Sequence, residues 1–121
     1  GLATFEDAAG TRWLYTGTHD GIMAFTLSGQ NAKFTLKPNW TAQMRATAVP
    51  PVVANGVVYV LATSGNAVLY ALDARSGKQL YSSGNEITSP IESGGLAVAN
   101  GHVCFGTGDD TLYCFGLPVD L

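Results

Sequence analysis

Short runs in which apolar and polar residues alternate, separated by turn-forming residues, fill the chain and predict β-strands. In its middle third these runs lie at residues 51–54, 57–63, 68–72 and 78–82. Each is rich in β-branched or aromatic residues, and turn sequences such as Asn55-Gly56 lie between them, where glycine accepts a positive φ without steric cost. This segment is therefore predicted to form four antiparallel strands joined by short hairpins.

The same order of segments occurs three times. Ala54-Asn55-Gly56 returns 45 positions later as Ala99-Asn100-Gly101. Tyr70-Ala71-Leu72 returns 43 positions later as Tyr113-Cys114-Phe115, and a more divergent copy has Met23-Ala24-Phe25 in that place. A repeat of about this length, with several short strands and no helical period, is typical of a β-propeller. We therefore predict an all-β fold of about three four-stranded antiparallel blades, at residues 1–40, 46–84 and 87–116.

The third copy predicts only three strands, at residues 96–99, 102–106 and 111–115, and so lacks an outer strand. The first copy predicts four, at residues 3–5, 12–16, 22–27 and 33–36. Because propellers close with four to eight blades, we expect residues 1–121 to be a single partial unit, the C-terminal part of a longer protein. Exposed blade edges and faces then predict self-association.

Composition agrees with this picture and excludes some functions. With 46% apolar and 12% charged residues, strands can be buried on both faces by stacked blades. The net charge of −3, without a basic stripe, argues against a nucleic-acid partner. No apolar run is long enough to span a bilayer.

The spacing Ala71-x-Asp73-x-x-x-Gly77-x-x-x-Tyr81 resembles the docking motif of the pyrrolo-quinoline quinone (PQQ) type, or quinoprotein, β-propeller family, in which the last residue is normally Trp. Residues 10–13, 50–57 and 112–118 also resemble the closing blades of bacterial proteins of this family. The resemblance covers essentially the whole chain. It implies the propeller fold, a periplasmic or secreted parent protein and, in that parent, PQQ bound with calcium on the propeller axis.

The motif residues also have structural roles that follow from their chemistry. Small Ala71 allows blades to approach closely, and Asp73 accepts hydrogen bonds from turn amides. Gly77 lets the chain reverse, and an aromatic ring at Tyr81 packs across the gap between blades. We therefore interpret these four residues as a structural docking motif. In the first copy these roles are expected to fall to Ala24, Gly29 and either Phe34 or Trp40.

Candidate chemistry is sparse. Quinone enzymes of the family use carboxylate and amide ligands, a catalytic Asp and often a vicinal cysteine pair, and no residue here can be matched to these. We predict no catalytic or metal site in this chain and expect it to hold no cofactor by itself. The candidate cofactor-binding contacts lie at the axial mouth, the usual ligand site of a propeller. They are Arg45, before the second copy, and Glu86 and Glu92 in the equivalent loop before the third; surface ion pairs are the alternative.

Cys104 and Cys114 lie on the two strands of the last predicted hairpin. A turn near residues 108–110 would place them opposite one another, so a cross-strand disulfide is one interpretation. Cys114 also occupies the position of Ala71 and Ala24, where a small apolar group is needed. We therefore favour free core thiols over a disulfide, and both over a metal site.

Two functions from different classes remain. The first is a binding or scaffold module, in which the axial face or a blade edge recruits a protein or a small ligand and this chain performs no chemistry. The second is a fragment of a PQQ-dependent dehydrogenase whose catalytic residues lie in upstream blades. In both, the remaining blades of the parent propeller are the expected partners, and the chain alone is predicted to be non-catalytic.

Overall fold

The computed structural model describes residues 2–30, 33–44, 50–62, 65–90, 96–99 and 101–116. These residues form three antiparallel sheets. The first contains β1 (Leu2–Glu6), β2 (Arg12–Thr18), β3 (Gly21–Gln30) and β4 (Lys33–Gln43). The second contains β5 (Val52–Ala54), β6 (Val57–Ala62), β7 (Val68–Asp73) and β8 (Gln79–Ser82). The third contains β9 (Ala97–Ala99), β10 (His102–Gly106) and β11 (Leu112–Gly116).

The predicted fold class is confirmed. In each sheet every strand pairs with the strand that follows it in the chain, as in propeller blades. β1 contacts β5, and β5 contacts β9, so the first strands of the three sheets lie side by side, as inner strands do around an axis. The described part of the third sheet has three strands. No helix long and apolar enough to cross a membrane occurs in the segments that the structure describes.

The last hairpin of the first sheet is longer than predicted. Its strands were expected at residues 22–27 and 33–36, but β3 and β4 extend to Gln30 and Gln43. The register shifts by a β-bulge between Ala24 and Phe25, after which pairing continues to the tip. Pro38 is accommodated because β4 is an edge strand, where a missing N–H donor costs no hydrogen bond within the sheet.

The core consists of two hydrophobic clusters, one between each pair of successive sheets. β6 is buried along its whole length because its side chains alternate between the two clusters. Val58 and Val60 pack with Tyr15 of the first sheet, whereas Tyr59 and Leu61 pack toward the third sheet. Burial of a strand on both faces, which the composition indicated, is thus observed in the middle sheet.

Because neighbouring strands are antiparallel, the connections lie at two opposite ends of the sheets. The β1–β2, β3–β4, β5–β6 and β7–β8 turns lie at one end, which we call the Asp73 end. The β2–β3, β6–β7 and β10–β11 hairpins reverse at the other end, where β4 and β8 end and where β5 and β9 begin. We call this second end the Glu86 end.

Candidate functional site

Three of the four predicted docking residues lie in or beside the tight turn from β7 to β8. Ala71 is fully buried. The carboxylate of Asp73 accepts a hydrogen bond from the Arg75 N–H at 3.0 Å, and its carbonyl accepts one from the Gly77 N–H at 2.8 Å. Gly77 has a φ of 77°, in the left-handed region that favours glycine. The turn therefore uses both the Asp side chain and the conformational freedom of the glycine.

Aromatic residues of the first sheet contact this turn. The Tyr15 hydroxyl and the Trp40 indole N–H both donate to the carbonyl of Ala74, at 2.6 and 3.2 Å. Burial and the nearby charge of Asp73 raise the pKa of Tyr15. A Cβ atom added to Gly77 would lie 2.6 Å from Cε3 of Trp40. The Trp40 ring thus packs directly on the glycine of the next sheet, where a side chain would not fit.

In the first sheet, the position equivalent to Tyr81 of the second sheet is occupied by Trp40 and not by Phe34. Trp40 pairs with Ala24 across β3 and β4, as Tyr81 pairs with Ala71 across β7 and β8. In both sheets the register shifts directly after the alanine. Phe34 pairs with Gly29 near the tip of the hairpin, and 61% of its surface is exposed.

Tyr81 contacts the third sheet. It is half-buried, and its ring centroid lies 6.2 Å from that of Phe115 in β11. Burial, and to a smaller extent the charge of Glu86, raises the pKa of Tyr81. The docking motif therefore contacts both neighbouring sheets: Gly77 contacts the Trp40 ring of the first sheet, and Tyr81 contacts Phe115 of the third.

The predicted axial-mouth residues are only partly described. Arg45 and Glu92 lie outside the described residues. Glu86 is exposed in the connection from β8 to β9, where its N–H donates to the carbonyl of Ser83 at 3.1 Å. An axial ligand site at these three residues stays a prediction.

A cleft of about 560 Å³ opens between the first two sheets at the Asp73 end. Asp7 forms one wall, in the β1–β2 turn. Its Oδ1 atom accepts the N–H groups of Ala9 and Thr11 at 3.0 and 2.9 Å. Its Oδ2 atom accepts the Trp13 indole N–H at 3.0 Å and lies 4.0 Å from Nε of Arg75. The carboxylate thus joins the turn to a core tryptophan and to the second sheet.

The surroundings of Asp7 keep it ionised. The Trp13 hydrogen bond is the largest cause that lowers the pKa of Asp7; burial opposes it, and the backbone N–H groups and Arg75 reinforce it. Only 7% of the Asp7 side-chain surface is exposed, against 66% for Arg75. With three N–H donors engaged, Asp7 anchors the turn and is not poised as a general base. Sequence reasoning missed it, although an Asp shortly before Gly10 is a recognisable Asx-turn signal.

Cys104 and Cys114 form a disulfide, so the prediction of free core thiols was wrong. The two residues pair directly across β10 and β11, with their Cα atoms 4.1 Å apart. Their neighbours Val103 and Phe105 are buried toward the second sheet. Since successive side chains alternate between faces, the cysteines lie on the opposite face, where Cys114 is exposed. The site is therefore not a core position.

The described residues do not fit a quinone with calcium. Calcium takes six to eight oxygen ligands, usually including several carboxylates. Within the part of the chain that the structure describes, no group of three or more His, Cys, Asp or Glu side chains comes together. No chemical step is therefore assigned to these residues.

One comparison with known proteins bears on function. The chain is 33% identical over 128 residues to the 1-butanol dehydrogenase (cytochrome c) of Thauera butanivorans. The alignment covers 92% of this chain but spans only 18% of that enzyme. No family model matches the chain, and no solved structure matches it.

Proposed function

We propose that this chain is a propeller segment of a quinone-dependent alcohol dehydrogenase and that its role in that enzyme is architectural. The observation that carries the proposal is the similarity to a 1-butanol dehydrogenase, which extends over 92% of the chain. Because the chain spans 18% of that enzyme, we assign the quinone, its calcium and the catalytic residues to other parts of the parent protein. Fold alone would not support this activity, since propellers serve many functions.

The contacts between sheets support an architectural role. Trp40 of the first sheet packs on Gly77 of the second, and Tyr81 of the second packs on Phe115 of the third. An aromatic side chain of one sheet therefore contacts the next sheet at both boundaries, although its partner is a turn glycine at the first and a strand phenylalanine at the second. In the parent, a bound quinone would be the oxidant of the alcohol, and this chain would contribute blades to the fold that carries the quinone.

The disulfide supports a periplasmic or secreted parent. Disulfides persist in oxidising compartments and are rare in the cytosol. Cys104 and Cys114 are bonded, and Cys114 is exposed, so a cytosolic reductant would have access to the bond. An extracytoplasmic location therefore agrees with this feature.

The test uses the full-length parent protein, purified without quinone. We expect oxidation of 1-butanol, followed with a dye as electron acceptor, to appear only after PQQ and Ca²⁺ are added. The 121-residue chain is the matched control, and we expect it neither to bind PQQ with micromolar affinity nor to oxidise alcohols.

Two results would contradict the proposal. A full-length protein that binds no PQQ and oxidises no primary alcohol would favour the binding or scaffold module instead. Stoichiometric PQQ binding by the 121-residue chain would move the cofactor site into it. Arg45, Glu86 and Glu92 would then be the first residues to substitute.

A further inference from the structure

The cleft between the first two sheets lies where the first sheet departs from the repeat. Glu6 pairs with Arg12, so residues 7–11 form the β1–β2 turn. In the second sheet Ala54 pairs with Val57, so residues 55 and 56 alone form the equivalent turn. The longer turn of the first sheet is one wall of the cleft, and Thr11 is among its lining residues. This wall is therefore additional to what a blade of this kind needs.

A β-bulge in β4 brings a polar side chain to the same cleft. The pairing of β4 skips Asn39, which lies between Pro38 and Trp40, the partner of Ala24. Such an extra residue re-aims a side chain, and Asn39 is exposed and lines the cleft. The equivalent bulge residue of the second sheet is the apolar Leu80. The first sheet thus differs from the second by an amide at this position.

The β7–β8 turn of the second sheet forms the opposite wall. The guanidinium of Arg75 carries five N–H donors; its side chain is 66% exposed, and its contact with Asp7 is a long one of 4.0 Å. Oδ1 of Asp73 accepts the Arg75 N–H at 3.0 Å, which leaves Oδ2 able to accept another donor. Neither the Asn39 amide nor the Thr11 hydroxyl makes a hydrogen bond to a described residue. Donors and acceptors that can still bind a ligand therefore line one cleft.

The charges and shapes of these groups favour a neutral ligand rich in hydroxyl groups. The carboxylates of Asp7 and Asp73 oppose an anion, and the guanidinium of Arg75 opposes a cation. A flat aromatic ligand lacks a stacking partner, because the aromatic residue that lines the cleft, Trp13, is only 6% exposed. A hydroxyl group both donates and accepts hydrogen bonds. Adjacent hydroxyls can therefore donate to Asp73 and accept from Arg75 together.

We propose that this cleft binds a neutral sugar. Asp73 and Arg75 hold adjacent hydroxyl groups from the second sheet, and the Asn39 amide holds another from the first. The volume of about 560 Å³ lies within the range of small-molecule sites, about 300–1,000 Å³. Two successive sheets form the walls, and the cleft opens at the Asp73 end, so a further blade, which packs on the face of a sheet, does not fill it. Asp7, engaged by three N–H donors, holds its wall in place.

Titration calorimetry with the full-length parent protein, purified without quinone, tests this proposal. Glucose, galactose, mannose and xylose are the probes, and at least one should bind with a millimolar Kd. Binding should change little as salt is raised, because the ligand is uncharged. Glucuronate and glucosamine, which add a negative and a positive charge, should bind more weakly. Arg75→Gln should lower the affinity about tenfold or more, and Asn39→Ala about fivefold.

Matched controls separate this cleft from other sites. Arg12→Gln and Asn85→Ala replace exposed residues that do not line the cleft, and they should leave the affinity unchanged. Thermal unfolding of all four variants should match that of the wild type, because the replaced side chains are exposed. No binding of any neutral sugar, or tighter binding of glucuronate, would overturn the proposal. So would sugar binding that survives both Arg75→Gln and Asn39→Ala, or that the two control variants weaken equally.

Discussion

The contact between Gly77 and the Trp40 ring can be tested by adding one methyl group. Gly77 has a φ of 77°, and a Cβ atom there would lie 2.6 Å from the ring. Gly101 has almost the same φ, 75°, but a Cβ atom at Gly101 would meet nothing within 4 Å. Gly101→Ala therefore measures the cost of backbone strain alone, whereas Gly77→Ala measures strain together with the clash.

The two costs are expected to differ clearly. An L-residue in the left-handed region costs about 1–2 kcal/mol, and an extra methyl group forced into a packed contact costs about 1–3 kcal/mol. Trp40 cannot move away freely, because its indole N–H is bound to the Ala74 carbonyl at 3.2 Å and its ring lies 5.8 Å from that of Tyr15. We expect the free energy of unfolding to fall by about 1 kcal/mol in Gly101→Ala and by about 3 kcal/mol in Gly77→Ala.

Urea unfolding followed by circular dichroism gives both values, provided that the dependence of the free energy on urea concentration is the same in all variants. A double-mutant cycle with Trp40→Leu isolates the clash. In that background Gly77→Ala should cost no more than Gly101→Ala does in the wild type. Equal losses for Gly77→Ala and Gly101→Ala in the wild type would refute the idea that the ring and the glycine are in contact.

Three further predictions concern other parts of the structure. Tyr81→Ala should lower the free energy of unfolding by about 2 kcal/mol. This is less than the loss of about 3–5 kcal/mol for a fully buried aromatic side chain, because Tyr81 is half-buried. Urea unfolding measures this loss, with Tyr81→Phe as the control. Replacing Cys104 and Cys114 by serine should cost about 2–3 kcal/mol through the lost loop constraint, and alkylation of the unreduced protein, detected by mass spectrometry, would contradict the disulfide. Because its pKa is lowered in the folded state, Asp7 should stabilise the protein above its unfolded pKa, near 3.8, and this contribution should be lost as the pH falls through its folded pKa. In Asp7→Asn, urea titrations should therefore show a smaller loss of stability as the pH falls. The loss should not disappear, because the pKa of Asp109 is also lowered, chiefly by its hydrogen bond with Thr107. The same acid dependence in Asp7→Asn as in the wild type would contradict this role of Asp7.

Strand positions could be predicted because their signals are local. Asn55 and Gly56 do adopt positive φ values, 53° and 77°, and the strands on either side of them begin and end close to the predicted residues. Alternation and turn chemistry determine such features within a few residues of sequence. This explains why all three sheets were predicted and why the strand boundaries of the second and third were predicted more accurately than those of the first.

Features that depend on distant residues were predicted less well. The cysteines were assigned to the core because Cys114 aligns with Ala71 in the repeat. Whether that face is covered depends, however, on a neighbouring sheet that the repeat does not specify, and Cys114 is exposed whereas Ala71 is buried. Asp7 is a different case, because the groups that donate to it, in Ala9, Thr11 and Trp13, are close in sequence, and its contact with Arg75 is the part that depends on another sheet.

The choice between Phe34 and Trp40 shows how pairing, rather than spacing, defines a junction between sheets. Ala24 and Phe34 are 10 positions apart, the same spacing as Ala71 and Tyr81, so spacing by itself points to Phe34. The structure pairs Ala24 with Trp40 and places the additional residues at the hairpin tip. Because strands can lengthen at their tip without altering the pairs at their base, the junction with Gly77 is kept although the first-sheet hairpin is longer.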